Sequence, residues 1–471
     1  MALEPARFKQ NARDALKDQI LRKNFRGAMD FLRKKRSAMF PDPEYFATLS
    51  SYGESVKQQA LSQLPDLLLR LEKNCQNNGI QVWWAENADE ANQHVLRIIH
   101  ENSGHKVVKG KSMVSEETGL NDFLQQHDIE CIETDMGEYI VQQSGEHPSH
   151  IIMPAIHKNV QQIASLFEQI IPGATYTEDV DTLIRMARDE MRQHFYTADI
   201  GITGVNFAVA STGTLCLVEN EGNGRMSTTI PKIHIAMMGI EKVVSELTDI
   251  PYLLELLTKS ATGQAISTYF NMISSPRKEG EIDGPEQVHL ILVDNGRSQA
   301  YADEELRQTL QCIRCGACMN HCPVYTRIGG HAYGTVYPGP IGKIISPHLL
   351  GLESTQDLPT ASSLCGACEE VCPVKIPIPK LLQRLRVESN KASGQAQVMR
   401  GQGSSRTSTE ALIWQIWSYC CIHPRLYNLL SKMAAMFGFI VPLLKSPWKI
   451  NRAMPKPAKE DFMSQYKRKK S

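Results

Sequence analysis

Four cysteines fall within eleven residues, in the run Cys312-Ile-Arg-Cys315-Gly-Ala-Cys318-Met-Asn-His-Cys322-Pro323. No uninterrupted helix or strand brings four thiols so close on one side, so C-x2-C-x2-C-x3-C-P constrains this chain more than any other segment does. Three thiolates on a tight turn reach three irons of one cubane, whereas the fourth begins a helix leading away and ligates a second cluster. Gly316 suits that wrapping, because a residue without Cβ lets backbone approach inorganic sulfide. A second run, Ser362-Ser-Leu-Cys365-Gly-Ala-Cys368-Glu-Glu-Val-Cys372-Pro373, keeps the spacings and the proline but has serine at the first ligand position. Crossed ligation then assigns Cys312, Cys315, Cys318 and Cys372 to one cluster and Cys322, Cys365 and Cys368 to the other.

The second cluster is one thiolate short. It is a [3Fe–4S] centre, a [4Fe–4S] centre whose fourth iron takes Ser362 or another non-cysteine ligand, or a site completed by a different cysteine. A hard, weakly acidic hydroxyl suits iron–sulfur chemistry less well than a soft thiolate, so Ser362 has an alternative role as a helix cap. Paired zinc sites are the competing reading, since CxxC pairs also hold zinc tetrahedrally. Four cysteines before a proline, repeated with crossed spacing and without a partner HxxxH, fit cubanes better. The vicinal pair Cys420–Cys421 lies in an apolar helical pattern, and Cys75, Cys131 and Cys216 lie in apolar runs; all five read as packing residues.

Seven of twelve cysteines crowd into positions 312 to 372 of the 471-residue chain, the pattern of a metal site in a reducing compartment rather than of scattered disulfides. Lys plus Arg and Asp plus Glu both total 51, so charge predicts no nucleic acid or anionic membrane as partner. The N-terminal segment lacks the apolar run of a secretory signal, and Glu4, Asp14 and Asp18 argue against a transit peptide, which predicts a cytoplasmic protein. The apolar stretch 433–444 is bracketed by Lys432 and Lys445 and is too short to span a bilayer, so no transmembrane segment is expected.

Length predicts two to four domains. Residues 1–60 read as amphipathic helices, with Arg33, Lys34, Lys35 and Arg36 on a solvated face. Residues 61–297 alternate helical stretches with the apolar runs IQVWWA, HKVVKG, IECIET, SHIIMP, GTLCLVEN, IHIAMMG and VHLILV, which predicts an α/β domain with a mostly parallel sheet covered on both faces. Residues 301–390 carry the cysteine motifs among short helical pieces. Residues 391–410 are polar and rich in Gly and Ser, a flexible linker, and 411–471 form an apolar helical segment ending in the basic tail YKRKKS, expected to be disordered.

The first cysteine run resembles bacterial ferredoxins. The long connector to the second resembles the helical ferredoxin domains of succinate dehydrogenase and glycerol-3-phosphate dehydrogenase iron–sulfur subunits. In the α/β region, Lys109-Gly-Lys111-Ser-Met-Val-Ser115-Glu116-Glu117, Glu133-Thr-Asp135-Met-Gly137-Glu138-Tyr139, Pro148-Ser-His150, Pro154-Ala-Ile-His157, ADIGITGVNF and STGTLCLVENEGNGR look like the lactate-utilisation (LUD) domain. That resemblance implies a fold similar to the phosphosugar isomerase and CoA-transferase family. The order of LUD domain, two cysteine runs with serine in place of an eighth cysteine, and apolar C-terminal segment is similar to the lactate utilisation protein B family end to end. It implies two [4Fe–4S] clusters on the seven cysteines. It further implies the iron–sulfur subunit of a cytoplasmic three-protein complex oxidising L-lactate to pyruvate, with a cysteine-rich CCG-type protein and a second LUD protein as partners.

The resemblance supplies no substrate site. Gly-rich turns at strand ends are where α/β sheets place ligands, though these lack a nucleotide-phosphate fingerprint. Lys111, His157, Asn206, Glu221 and Arg225 are the polar groups to meet a 2-hydroxy acid, with Arg225 or Lys111 on its carboxylate and His157 as base. Three functions compete: an electron-transfer subunit for lactate or another 2-hydroxy acid such as glycolate, a catalytic site within the LUD domain, and a structural or regulatory cluster protein.

Overall fold

The computed structural model describes residues 4–390, 408–436, 458, 460 and 462–470. Ten strands are present among them: β1 (Gln81–Ala85), β2 (Lys106–Lys109), β3 (Glu130–Glu133), β4 (Ile200–Gly204), β5 (Phe207–Val209), β6 (Thr214–Glu219), β7 (Ile233–Gly239), β8 (Val243–Val244), β9 (Tyr269–Ile273) and β10 (Gln287–Val293). Six of them form one sheet in the order β1-β10-β7-β4-β2-β3, parallel at every pairing.

Continuous apolar runs become central strands here because both faces are covered. Along β7, Ala236 and Met238 join the core under the helix Leu64–Asn77, whereas Ile233, Ile235 and Met237 join the core under the helix Ala88–Glu101. Along β10, Val288, Leu290 and Leu292 face the first core, and Ile291 and Val293 the second. Alternate side chains of a strand point to opposite faces, so a two-sided core selects unbroken hydrophobicity.

Two of the predicted runs end elsewhere. GTLCLVEN supplies β6, which lies in a separate four-stranded sheet, β8-β5-β6-β9, antiparallel to β5 and β9. SHIIMP is not a strand. His150 Nδ1 accepts from the backbone N–H of Ile152 (3.0 Å) and Met153 (3.1 Å), closing the chain into a turn that Pro154 follows. A side chain that satisfies backbone donors locally competes with a sheet ladder.

The chain divides into two compact units at Gly403/Ser404. Within the first, one core joins Phe8, Phe25, Met29, Leu32 and Leu49 of the N-terminal helices to Ile313, Met319, Tyr325, Ile344 and Leu381 of the cysteine-bearing region. The second unit contains the helices Ser408–Ile422, Pro424–Met436 and Phe462–Lys470. The last of these overturns the disordered tail: Tyr466 to Lys470 continue a helix, and Arg468 pairs with Glu460 at 3.0 Å. Cys420 is buried and Cys421 exposed. The predicted linker lies largely outside the described residues, as does the apolar stretch beyond Met436. Among the described residues, no helix is long and apolar enough to cross a membrane.

Candidate iron–sulfur centre

The two cysteine runs adopt matching backbone. Arg314 and Leu364, two residues after Cys312 and Ser362, have positive φ (61° and 55°), and Gly316 and Gly366 follow in the left-handed region (74° and 84°). Each loop then enters a one-turn helix, Ala317–Asn320 or Ala367–Glu370. A non-glycine residue at positive φ costs energy unless its surroundings hold it. Here the loop holds it: the Arg314 N–H donates to Cys312 Sγ at 3.4 Å, and the Leu364 N–H donates to Ser362 Oγ at 3.1 Å. Ser362 therefore occupies the local position of Cys312.

Cys312, Cys315, Cys318 and Cys372 line one small cavity whose remaining walls include Ile313, Ile341, Val374, Ile376 and Ile378. The pairing of three cysteines from one run with the last of the other is the crossed grouping. The Ile376 N–H donates to Cys372 Sγ at 3.3 Å. Burial, then neighbouring thiols, raises the thiols of Cys318 and Cys372, and burial pushes Cys315 up to about 12. As plain thiols these four crowd polarizable, weakly satisfied groups into an apolar pocket. A cationic cluster core taking them as thiolates removes that conflict, so the donor set fits an iron–sulfur group.

The second group is shallower. Cys322 and Cys368 are buried but Cys365 is exposed. Burial first, then Cys322, pushes Cys368 up to about 11, with Cys365 contributing least. Lys343, 1% exposed, places Nζ 3.9 Å from Cys322 Sγ, donates to the Ala361 carbonyl, and lies over the Tyr333 ring at 5.5 Å. Arg386 donates to the carbonyls of Pro359 (2.9 Å) and Ser362 (3.1 Å), fixing the strand of chain that carries the serine.

Cationic side chains remote in sequence surround the centre. Arg36 is not on a solvated face. Its guanidinium stacks over Phe40 and Phe46 (5.1 and 4.7 Å), donates to the Val371 carbonyl at 3.2 Å, and lies within electrostatic reach of Cys315 and Cys372. Arg314 stacks over Tyr337 at 4.6 Å and pairs with Glu241 at 3.1 Å. Glu241 also accepts from Arg297 Nε at 2.6 Å, and Arg297 forks onto Glu117 at 2.7 and 2.9 Å. Burial opposes ionisation of Glu241, but Arg297 and Arg314 prevail and hold its carboxyl at about 2. This buried network ties the β7 end of the sheet to the first cysteine loop. The turn 147–154 makes a second tie: His150 Nε2 meets Asn320 Oδ1 at 3.0 Å, Tyr325 donates to the Ser149 carbonyl at 2.7 Å, and His331 meets the His147 carbonyl at 2.7 Å.

Most of the proposed substrate groups are engaged within the protein. Lys111 Nζ donates to the Ile152 carbonyl at 2.6 Å. His157 has both nitrogens engaged, Nδ1 with Ser149 Oγ at 2.8 Å and Nε2 with Glu146 Oε2 at 2.6 Å. Asn206 Oδ1 accepts from the Val218 N–H at 2.8 Å, a structural turn. Arg225 is exposed on the helix Asn223–Thr229. Glu221 is exposed and accepts from the Met136 N–H at 3.0 Å. Arg36 and Lys343 carried no sequence signal, because a basic residue looks alike whether it faces water or a buried thiolate.

An α/β sheet domain joined to a helical region that gathers cysteines into buried groups defines an iron–sulfur protein. The LUD domain family matches residues 68–293, the 4Fe-4S dicluster domain residues 308–376, and the C-terminal domain of lactate utilisation protein B residues 384–471. Lactate utilization protein B of Bacillus velezensis is 39% identical over 477 residues, covering 99% of this chain and 98% of that one. Its Bacillus subtilis counterpart is 42% identical over 392 residues, 83% of this chain and 81% of the other. "Uncharacterized electron transport protein YkgF" of Escherichia coli is 40% identical over 470 residues, 98% and 96% of the two chains. A crystal structure of a DUF162 family protein from Deinococcus radiodurans, 16% identical, covers 49% of this chain and 98% of its own at a TM-score of 0.26, too low to carry an argument. The chain belongs to the lactate utilisation protein B family: it is a lactate-utilisation iron–sulfur protein.

Proposed function

We propose that this chain is the electron-transfer subunit of a cytoplasmic complex that oxidises L-lactate to pyruvate. Cys312, Cys315, Cys318 and Cys372 would hold one [4Fe–4S] cluster. Cys322, Cys365 and Cys368 would hold the second, with Ser362 at the fourth position or a [3Fe–4S] centre in its place. The observation that carries this reading is the gathering of Cys372 with Cys312, Cys315 and Cys318 around a single cavity.

Bound clusters supply one-electron acceptor and donor chemistry. Oxidation of lactate releases two electrons and two protons, so a two-cluster chain matches the electron count. Around those groups, the residues of this chain exclude water from the first cavity, donate backbone N–H groups to sulfur, and place Arg36, Arg314 and Lys343 nearby. The partially exposed second group suits exchange with another protein. A cysteine-rich CCG-type protein and a second LUD protein are the proposed partners, and the names of the relatives support lactate as the reductant.

A catalytic site within the LUD domain is the competing reading, and the geometry favours it less, since Lys111 and His157 are committed to internal hydrogen bonds and Arg225 stands apart in the solvent. Anaerobic purification of the complex, addition of L-lactate, and EPR of the clusters test the proposal. Reduction by lactate in the complex, but not in this chain alone, is the expected result. Lactate oxidation by the isolated chain with an artificial acceptor would move the chemistry into the LUD domain, and failure of the clusters to reduce in the complex would leave them a structural role.

A further inference from the structure

A cleft of about 700 Å³ runs along the edge strand β3, lined from Ile129 to Glu133 and by the helices before and after that strand. It is not the cysteine cavity. Six carboxylates line it, from Glu116, Asp122, Glu130, Glu133, Glu138 and Glu146, and among the described residues no lysine or arginine does. Some of this charge is matched nearby, Glu130 by Lys106 at 3.6 Å and Glu146 by Lys158 at 2.6 Å.

Glu116 and Glu133 share a single lysine, and Glu138 has no such partner. Lys109 and Glu133 are the paired last residues of β2 and β3, Glu116 lies on the short helix that follows β2, and Glu138 on the first turn of the helix that follows β3. One carboxylate oxygen from each of the three glutamates lies within 4.8 Å of the others. Lys109, fully buried, meets Glu133 at 2.6 Å and Glu116 at 3.3 Å. That one ammonium contacts Glu116 and Glu133 and leaves Glu138 without a hydrogen-bonded cation. Glu138 is 2% exposed, and neither of its carboxylate oxygens has a hydrogen-bond partner; Glu133 Oε2, equally buried, has none either. Buried carboxylate oxygens without donors are costly, and here three converge on one cleft.

We infer that Glu116, Glu133 and Glu138 form a binding site for a hard divalent cation such as Mg²⁺ or Mn²⁺. All-oxygen donors select these ions over thiolate-seeking metals. A divalent ion gives Glu138 and Glu133 Oε2 the partner they lack. Lys109 then acts as a positioning residue, holding Glu116 and Glu133 from behind. The site is independent of the electron-transfer reading.

The test is Mn²⁺ binding to the anaerobically purified full chain, read from the loss of the free Mn²⁺ EPR signal with the clusters oxidised and checked by Mg²⁺ competition. One Mn²⁺ per chain is expected. Glu138→Gln and, separately, Glu116→Gln each weaken it about 100-fold, at or beyond the range for losing a supporting group at a metal site, while Asp122→Asn on the same cleft leaves it unchanged. Glu116 is part-exposed, so its variant decides the matter if Glu138→Gln does not fold, with the visible absorption of the clusters as the folding check. No binding by the wild-type chain at concentrations on the order of 1 mM, the weak end for protein cation sites, overturns the proposal. So does binding that survives both glutamine substitutions, which would make the cluster a structural ion group alone.

Discussion

Replacing Lys343 by Met probes whether a buried cation sets the potential of the proposed second cluster. Nζ lies 3.9 Å from Cys322 Sγ and has no exposure to water that would screen it. At an effective dielectric of about 20, a unit charge at that distance interacts by about 4 kcal/mol. The electron added on reduction spreads beyond one sulfur, so this is a ceiling, and doubling the distance halves it to about 2 kcal/mol. For a one-electron couple about 1.4 kcal/mol corresponds to 59 mV, which places the expected fall in midpoint potential between about 80 and 170 mV. Burial outweighs the nearby thiols Cys322, Cys368 and Cys318 and draws the Lys343 ammonium below its ordinary range. An EPR-monitored redox titration of anaerobically purified protein reads both clusters. One is expected to shift and the other to stay, and Lys343→Arg, which keeps the charge, should restore most of the difference. Equal potentials in wild type and Lys343→Met, or a larger shift in the other cluster, would refute the electrostatic reasoning. Loss of the cluster in Lys343→Met but not in Lys343→Arg would instead show that the charge is needed for assembly.

Ser362→Cys places a thiol where Oγ accepts the Leu364 N–H; the expected outcome is a second cluster with four iron atoms by iron counting and an altered EPR signature, and an unchanged spectrum would mean position 362 never meets the cluster. Arg297→Ala removes the cation paired with buried Glu117 and one of the two paired with Glu241, and leaving Glu117 uncompensated should cost about 3–5 kcal/mol, read as a fall in denaturation midpoint. His150, His234 and His348 are buried neutral, with burial the leading cause that brings them down to about 4, 3 and 4. Their folded pKa values lie below the unfolded value of about 6.5, so the unfolded state binds more protons and stability is complete above pH 6.5 and lost as pH falls toward 4. The slope should approach 1.4 kcal/mol per pH unit for each histidine, and His150→Gln with His348→Gln should flatten the pH dependence of unfolding.

Much of the scaffold was legible in the sequence because its signals are local. The runs IHIAMMG and VHLILV became central strands since unbroken hydrophobicity is what a strand covered on both faces requires. SHIIMP looked the same over six residues and failed, because His150 supplies hydrogen bonds to the turn that a sheet would have supplied to a strand. The short strands β4, β5, β8 and β9 were missed for the opposite reason: ADIGITGVNF reads as glycine-rich turn, yet Gly201 is a strand residue where the close approach of the Ser227 carbonyl leaves no room for a Cβ.

The crossed grouping was legible from the spacing of seven cysteines alone, and Cys312, Cys315, Cys318 and Cys372 line one cavity. Their surroundings were decided by tertiary structure. Arg36 reaches Val371 across 335 positions and Arg297 reaches Glu117 across 180, distances over which composition and periodicity carry no information. Among the substrate candidates drawn from strand-end motifs, the same folding engages Lys111 and His157 in internal hydrogen bonds. Conversely, Glu116, Glu133 and Glu138 met only because parallel crossovers bring the ends of β2 and β3 side by side, a juxtaposition that belongs to the sheet and to no stretch of the chain.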